Sequence, residues 1–326
     1  LNPFGRAIFN NIGANMIVIT GASGHIGNNL VRILIERKIP FKVLLRREGK
    51  ELAGLKIEKH IGNLYDSAFY REHINHGDVV VHLAGYIDLE NKDYDQSYKA
   101  NFEMTKIIAD ICLEKEVRLI YASSTDVLFH SENNGFYVER DVRKVKYNYP
   151  KTKTMATLYI KELQEKGLNA IILYPTSVIG INDYKGSQAG KEIIKASKKT
   201  FLPYVKGGYD FVDVIDVSNA IIEAAYSDLT EDVIINGHFY TLKELYKLIG
   251  KLTGKKKVMV YIPTLLAKFG TLFIKGLSPM MVEIVRDARP FKDPNTKLLL
   301  KENTPIEITF KSVLSEAGHK NKQKRK

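Results

Sequence analysis

Residues 16–37 read as one continuous device: a short apolar strand, M16-I-V-I-T20, a turn carrying three glycines, T20-G-A-S-G-H-I-G27, and a helix with Ile26, Leu30, Ile33 and Leu34 at helical spacing. Glycine at 21, 24 and 27 lets the chain turn tightly, approach a bound group and pack helix on strand. The first amides of that helix then face an anion, an arrangement suited to the pyrophosphate of a dinucleotide. The alternation continues with strands at FKVLLR (41–46), Lys56–His60, Val79–Leu83, Arg118–Ala122 and Asn169–Leu173, separated by helices around Asp66–Ile74, Tyr98–Lys115 and Lys151–Lys166. Continuous apolar strands between helices predict a parallel sheet covered on both faces, so the expected fold class is α/β, doubly wound.

After Pro175 the rhythm loosens: 186–208 is Lys-rich and bounded by glycines, 211–225 looks like a strand turning into a helix, and the rest is mostly helical. The expected division is a dinucleotide-binding domain over 16–175, joined by 209–226, and a smaller, mostly helical substrate lobe over 176–208 and 227–318. Residues 1–15 open with Leu and stop just before the first strand, and are read as an appended tail. The net charge of +12 owes much to a second tail, HKNKQKRK at 319–326, so the body is only moderately basic. The stretch 258–285 is too broken by Lys268, Lys275, Glu283, Pro263 and Pro279 to span a membrane. A single cysteine, Cys112, on an apolar helix face excludes a disulfide scaffold and points to a reducing, cytoplasmic setting. His73-x-x-His76 reads as surface capping at a helix end, and no metal is expected.

The second strand ends in Arg46-Arg47, where an NAD site usually presents an acid for the ribose 2′-hydroxyl. A guanidinium can grip a 2′-phosphate bidentately, so the expected cofactor is NADP rather than NAD.

T-G-A-S-G-H-I-G, G62-N-L64, V-V-V-H-L-A-G, N101-x-x-x-T105, Y-A-S-S-T-D-V, Y-P-K-T-K and F211-V-D-V-I-D216 occur in that order. Together they resemble the extended short-chain dehydrogenase/reductase family, the NAD-dependent epimerase/dehydratase superfamily, over about residues 16–252. The resemblance implies a Rossmann sheet, with cofactor contacts from Thr20, Gly21, Ser23, Gly24, His25, Ile26, Gly27, Asn63, Leu64, Leu83, Ala84, Gly85, Tyr174 and Pro175, besides Arg46, Arg47, Tyr149 and Lys153. It also implies Ser124 as the serine that bonds the substrate oxygen, with Ser123 as the alternative, and Asn101 as the support of a water or a helix kink near the lysine. Two departures stand out. Asn63 replaces the usual Asp and can still bond adenine through its amide; Gly85 replaces the usual Ala and would make room beside the nicotinamide.

Tyr149-x-x-x-Lys153 is the chemical centre. With 18 tyrosines in the chain, about two such matches arise by chance, so its weight comes from its position after the Ser-Ser strand. The competing frame, Tyr147 to Lys151, is disfavoured because Pro150 belongs in a helix's first turn, which leaves Tyr147 ahead of Asn148, the expected cap. A neighbouring ammonium favours a phenolate, so Lys153 is expected to bring Tyr149 toward the working range of a proton carrier, and the resemblance has it hold the nicotinamide ribose as well.

Nucleotide-sugar members of the family tend to carry an anchoring Asn where Ser177 stands and an Arg where Tyr174 stands, and the dehydratases an Asp-Glu pair where Thr125-Asp126 offers one carboxylate. These differences favour NADP-dependent reduction of a carbonyl to an alcohol, resembling dihydroflavonol reductase and 3β-hydroxysteroid dehydrogenase. A nucleotide-sugar epimerase or dehydratase that recycles its cofactor, and a non-catalytic dinucleotide sensor, are the rival readings. Residues 86–97 and 184–208 are expected to line the substrate site. The expected partner is a small carbonyl or alcohol, with homodimer formation left open. The apolar helix face of Leu265, Leu266, Phe269, Leu272 and Phe273 is expected to cap the substrate pocket, and the basic tail to be solvated rather than bound to nucleic acid or lipid.

Overall fold

The structure, a computed structural model, describes residues 16–130, 135–274 and 277–323. Residues 1–15, read from the sequence as an appended tail, lie outside them, as do residues 324–326 of the basic tail. The chain forms two compact units. The first ends at Pro175 and resumes over Ser218–Ile234; the second comprises Thr176–Val217 and the chain from Ile235 onward.

In the first unit β1 (Ile17–Thr20), α1 (His25–Arg37), β2 (Phe41–Leu45), β3 (Glu58–Ile61), α2 (Ser67–His73) and β4 (Val79–His82) follow the expected alternation. A helical stretch comes next, α3 (Tyr94–Tyr98) and α4 (Met104–Glu114) joined without a break by a π-helical turn over Lys99–Glu103. Then come β5 (Arg118–Ala122), the short hairpin β6 (Leu128–His130) and β7 (Phe136–Val138), α5 (Asn148–Glu165) and β8 (Ala170–Pro175). The second unit carries β9 (Ser177–Ile179), α6 (Gln188–Lys198), β10 (Phe201–Tyr204) and β11 (Gly208–Asp213). The chain returns through α7 (Val214–Ala225) to β12 (Val233–Ile235). It ends with β13 (His238–Thr241), α8 (Leu242–Thr253), β14 (Val258–Tyr261), α9 (Thr264–Gly270), α10 (Pro279–Asp287), α11 (Thr296–Leu299) and α12 (Ile306–Gln323).

The central sheet has seven strands in the order β12-β8-β5-β4-β1-β2-β3, and the five registers from β3 to β8 are all parallel. Every residue of β1 and β4 is buried, as expected of strands covered on both faces. Strand order reverses between β1 and β4, and at such a switch point the outgoing loops part and leave a crevice. Thr20 pairs with His82 and with Leu44, and His82 with Tyr121, so the loops after β1, β2, β4 and β5 leave the sheet at one level.

Two expectations change in the second unit. The Lys-rich stretch 186–208 is ordered: Ser187 caps α6 by accepting the Gly190 N–H at 3.1 Å, and Ile193 and Ala196 bury one face beneath the lysines. β11 does not join the central sheet, because β9 pairs with it in parallel and β13 antiparallel; the first unit is therefore completed by 218–234 rather than by 209–226. The F211-V-D-V-I-D216 motif anchors this unit: Asp213 accepts from Thr309 Oγ1 at 2.5 Å, Asp216 from Thr304 N at 2.7 Å, and Phe211 packs edge-on against Phe310.

Arg118 opens β5 almost fully buried. Its guanidinium donates to Ala224 O at 3.2 Å, Leu229 O at 2.6 Å and Asn169 Oδ1 at 2.6 Å, fastening the end of α7 to the sheet edge. Arg118→Met leaves two main-chain carbonyls without their donor and is expected to lower unfolding stability by about 2–4 kcal/mol, read from the urea midpoint.

Candidate functional site

Gly21 leaves β1 with φ +78°, and a Cβ there would sit 2.4 Å from Ala84 N and 2.6 Å from the Leu83 carbonyl carbon. Only glycine lets the loops after β1 and β4 come so close. A Cβ on Gly27 would lie 2.3 Å from Gly21 O, so the opening turn of α1 packs directly on the loop. Gly24 is the N-cap of α1 and supplies no side-chain cap, and a Cβ on it would crowd Gly21 O at 3.1 Å, closer than an ordinary contact. Ser23, Gly24, His25 and Ile26 are half-exposed along this turn. The first amides of a 13-residue helix thus open beside a turn in which Gly21 and Gly24 carry no side chain, the kind of cradle that suits a pyrophosphate. Arg46 and Arg47 lie just beyond Leu44, the β2 partner of Thr20, and both are exposed.

A buried hydrogen-bonded chain runs beneath these loops. Thr20 Oγ1 is 2.6 Å from His82 Nδ1, His82 Nε2 is 2.9 Å from Thr105 Oγ1, and Thr105 donates to Asn101 O at 2.7 Å. Because Thr105 gives its proton to Asn101, the imidazole must donate from Nε2 and accept Thr20's hydroxyl proton at Nδ1. Burial first, and the charge of Lys153 second, push His82 down to about 3, so the ring is neutral. Asn101 sits fully buried in the π-helical turn, where such widened turns mark functional sites. Its Oδ1 accepts from Tyr86 N at 2.7 Å, and its Nδ2 donates to Tyr86 O at 2.9 Å and Thr152 Oγ1 at 3.0 Å. Asn101 therefore ties the loop after β4 to α5, rather than making a described contact with the lysine.

α5 starts at Asn148, with Pro150 inside its first turn. Its cap is Tyr147, not Asn148. Asn148 instead donates from Nδ2 to Asp88 Oδ2 at 3.0 Å and from its backbone to Asn91 Oδ1 at 2.7 Å, which pins the 86–97 loop to the helix start. Burial alone would raise Asp88, but Asn148 and the amides of 91–93 hold it below the usual carboxylate range.

Tyr149 is buried one helical turn from Lys153, and Ser124 stands near enough to the Tyr149 phenol and the Asp126 carboxyl to oppose the rise that burial imposes on both. Ser124 also accepts the Asp126 N–H at 3.1 Å. Ser123 is committed elsewhere, its hydroxyl 2.7 Å from Thr157 Oγ1. Lys153 Nζ donates to Ala122 O at 2.7 Å and stands 4.3 Å above the Tyr121 ring, which in turn stacks on His82. Burial pushes the lysine down to about 7. The phenol moves the other way from expectation: burial, and then the Asp126 charge, raise Tyr149 against the opposing effect of Ser124, so the ring keeps its proton at neutral pH. Asp126 is itself raised by burial, opposed by Ser124.

Several expected cofactor contacts fall differently. Thr20 is fully buried on His82 and acts as a positioning residue. Leu64 is buried and its carbonyl accepts from Tyr70. The Tyr174 hydroxyl donates to Asp232 within the first unit, so any cofactor contact falls to the main chain at 174–175. Asn63 accepts Tyr65 N at 3.0 Å through Oδ1, leaving its amide group to donate. Gly85 is exposed, and a Cβ there would press on Asn101 Oδ1 at 3.0 Å. Leu83 and Ala84 remain half-exposed at the lip. His82 and Asp126 were not assigned roles from sequence, although a histidine ending an otherwise apolar strand, VVVH, was the available signal for the first. No group of His, Cys, Asp and Glu able to hold a metal occurs among the described residues, and Cys112 is buried with its thiol pushed up by burial.

A family model described as the NAD dependent epimerase/dehydratase family matches residues 17–235. Sterol demethylase protein B of Methylococcus capsulatus is 24% identical over 252 residues, 76% of this chain and 77% of its own length. A Synechocystis protein assigned as a dihydroflavonol 4-reductase is 26% identical over 212 residues, 63% of this chain and 61% of its own. Among solved structures, the UDP-glucose 4-epimerase of Thermotoga maritima with UDP-glucose matches with a TM-score of 0.73 at 19% identity, covering 94% of this chain and 99% of that one, a likeness of fold.

The neutral His82 leaves a signature in stability. Its folded value, about 3, lies below the unfolded value of about 6.5, so between those limits the unfolded chain binds the extra proton. The contribution is complete above pH 6.5 and drains away as the pH falls toward 3, by about 1.4 kcal/mol per pH unit. Denaturation midpoints measured from pH 7 to pH 4.5 should fall more steeply for the native chain than for His82→Gln; parallel slopes would contradict a neutral buried ring.

Proposed function

Because the chain belongs to the NAD dependent epimerase/dehydratase family, we propose that it is an NADP-preferring oxidoreductase that reduces a carbonyl to an alcohol at Ser124, Tyr149 and Lys153. The observation that carries the reading is a Tyr149 buried in the first turn of α5, with Lys153 buried one helical turn on and anchored on Ala122 O at the end of the strand that leads to Ser124. The cradle formed by Gly21, Gly24 and the opening of α1 fits a pyrophosphate, and exposed Arg46 and Arg47 fit a 2′-phosphate. Gly24 to Gly27, Leu83 to Gly85 and Lys153 would complete the hold. A bound nicotinamide supplies the hydride. A phenol that keeps its proton is suited to give it to an oxygen that gains charge as a carbonyl is reduced, and Ser124 orients that oxygen. Lys153, near 7 and anchored on Ala122 O, can shift between charged and neutral forms in the working range.

Reduction is favoured over elimination because Asp126 is a single carboxylate beside Tyr149, where elimination needs an acid and a base. It is favoured over epimerisation by Ser177 and Tyr174 in place of the anchoring Asn and Arg. The kinship with a dihydroflavonol 4-reductase assignment points the same way.

Two measurements check this reading. Conversion of a carbonyl panel should depend on added NADPH, while stoichiometric retained NAD with cofactor-independent turnover of a nucleotide sugar would establish the epimerase instead. Tyr149→Phe should lower kcat by about 10²–10⁴-fold and Ser124→Ala should also lower it, with Tyr147→Phe and Ser123→Ala far milder. Separately, Arg46→Ala should weaken NADPH by about 1.5–3 kcal/mol and leave NADH nearly unchanged, as read by fluorescence titration; equal losses for both cofactors would remove the 2′-phosphate role.

A further inference from the structure

The helix expected to cap the substrate pocket stands open. Leu265 is 79% exposed, Leu266 60%, Phe269 61%, Leu272 74%, Phe273 75% and Ile274 56%. The orientation of α9 is inverted relative to a surface helix: Ala267 packs on the core of its unit and Lys268 pairs with Glu283 of α10, while the large apolar side chains face outward. The strand pair just before it repeats the pattern. β10 and β14 are parallel with Phe201 opposite Val258 and Pro203 opposite Val260; Leu202 and Met259 turn inward, and Phe201, Val258 and Val260 are exposed. Soluble chains rarely leave so many apolar side chains together without a partner.

Charge decides which partner. Because the two strands are parallel, the residues that precede them share one end, and Val258 N bonds Thr200 O at 2.8 Å. Lys257 turns inward onto the carbonyls of Ala196, Ser197 and Lys199, which brings exposed Lys255 and Lys256 beside exposed Lys198 and Lys199. Among the described residues none of these four ammonium groups has an acidic partner. A second copy docking through the same patch would set like charges against each other, whereas an anionic bilayer offers hydrocarbon for the apolar face and phosphate for the lysine rim.

We propose that this face of the second unit seats the protein on an anionic lipid surface, with Phe201, Val258, Val260 and the 265–274 segment entering the interface and the four lysines meeting the headgroups. No described helix is long and apolar enough to cross a membrane, so the contact proposed is that of this exposed face alone.

The test is flotation of the full chain with phosphatidylcholine vesicles with and without phosphatidylglycerol, across a salt series, beside light scattering for oligomeric state. Binding is expected only to the anionic vesicles and to weaken with salt. The triple change Leu272→Glu, Phe273→Glu and Phe269→Glu, and separately Lys255→Glu with Lys256→Glu, should each lower partitioning roughly tenfold or more while leaving the melting temperature and NADPH titration in place. Because every altered side chain is exposed, the variants are expected to fold. Absence of binding to anionic vesicles, unchanged partitioning of both variants, or a native dimer that the triple variant converts to a monomer would overturn the proposal, the last by giving the face to a second copy.

Discussion

At the carboxyl ends of β1 and β4 the main chains of Gly21 and Ala84 approach so closely that one added methyl at 21 would stand 2.4 Å from the Ala84 nitrogen. That contact fixes the two lips of the crevice, and what lies under it follows from the same approach. Thr20 and His82 are paired across the two strands, so their side chains can bond. His82 then reaches Thr105, Thr105 reaches the Asn101 carbonyl, and Asn101 turns its amide to the Tyr86 backbone and to Thr152 on α5. The tyrosine helix is thus positioned relative to the glycine loop through a chain of neutral hydrogen bonds, with no ion pair among its links.

The site also concentrates groups that would be more comfortable in water. Tyr149 and Asp126 are raised and Lys153 is lowered, each chiefly by burial. Such groups oppose folding, and their company is tolerated because the surrounding frame is rigid: fully buried strands, a fastened Arg118 and a pinned helix start. Their protonation is therefore set by the protein's interior rather than by bulk solvent.

The sheet and the glycine turn were legible in the sequence because they rest on local rules, apolar runs and turn residues, and because the tyrosine frame is fixed by where Pro150 can stand. The preference for Ser124 over Ser123 rests on resemblance alone, and the commitment of the Ser123 hydroxyl to Thr157 is a tertiary fact that no sequence pattern carries. What stayed hidden was tertiary too. β11 has the pattern of a central strand, yet its partners are β9 and β13. Asn148 has the residue type of a cap, yet a buried Asp88 claims it. The lysines of 186–208 masked a helix whose apolar face is only a few residues wide. The effect of Lys153 on Tyr149 was misjudged because spacing along a helix says nothing of desolvation, which here dominates both groups.

The π-helical turn at Lys99–Glu103 has one more consequence. A wide turn carries an additional residue, and the angular phase of α4 is offset by roughly 100° from the phase α3 would have imposed. Ser97 ahead of the turn and Met104, Thr105 and Ile108 behind it are all buried, and Thr105 reaches His82 from this phase of the helix. Shortening this stretch by one residue would restore an ideal helix and rotate Thr105 away from His82. Length in 99–103 is thus held fixed by geometry, and sequence drift there can proceed by exchange of side chains but not by gain or loss of a position.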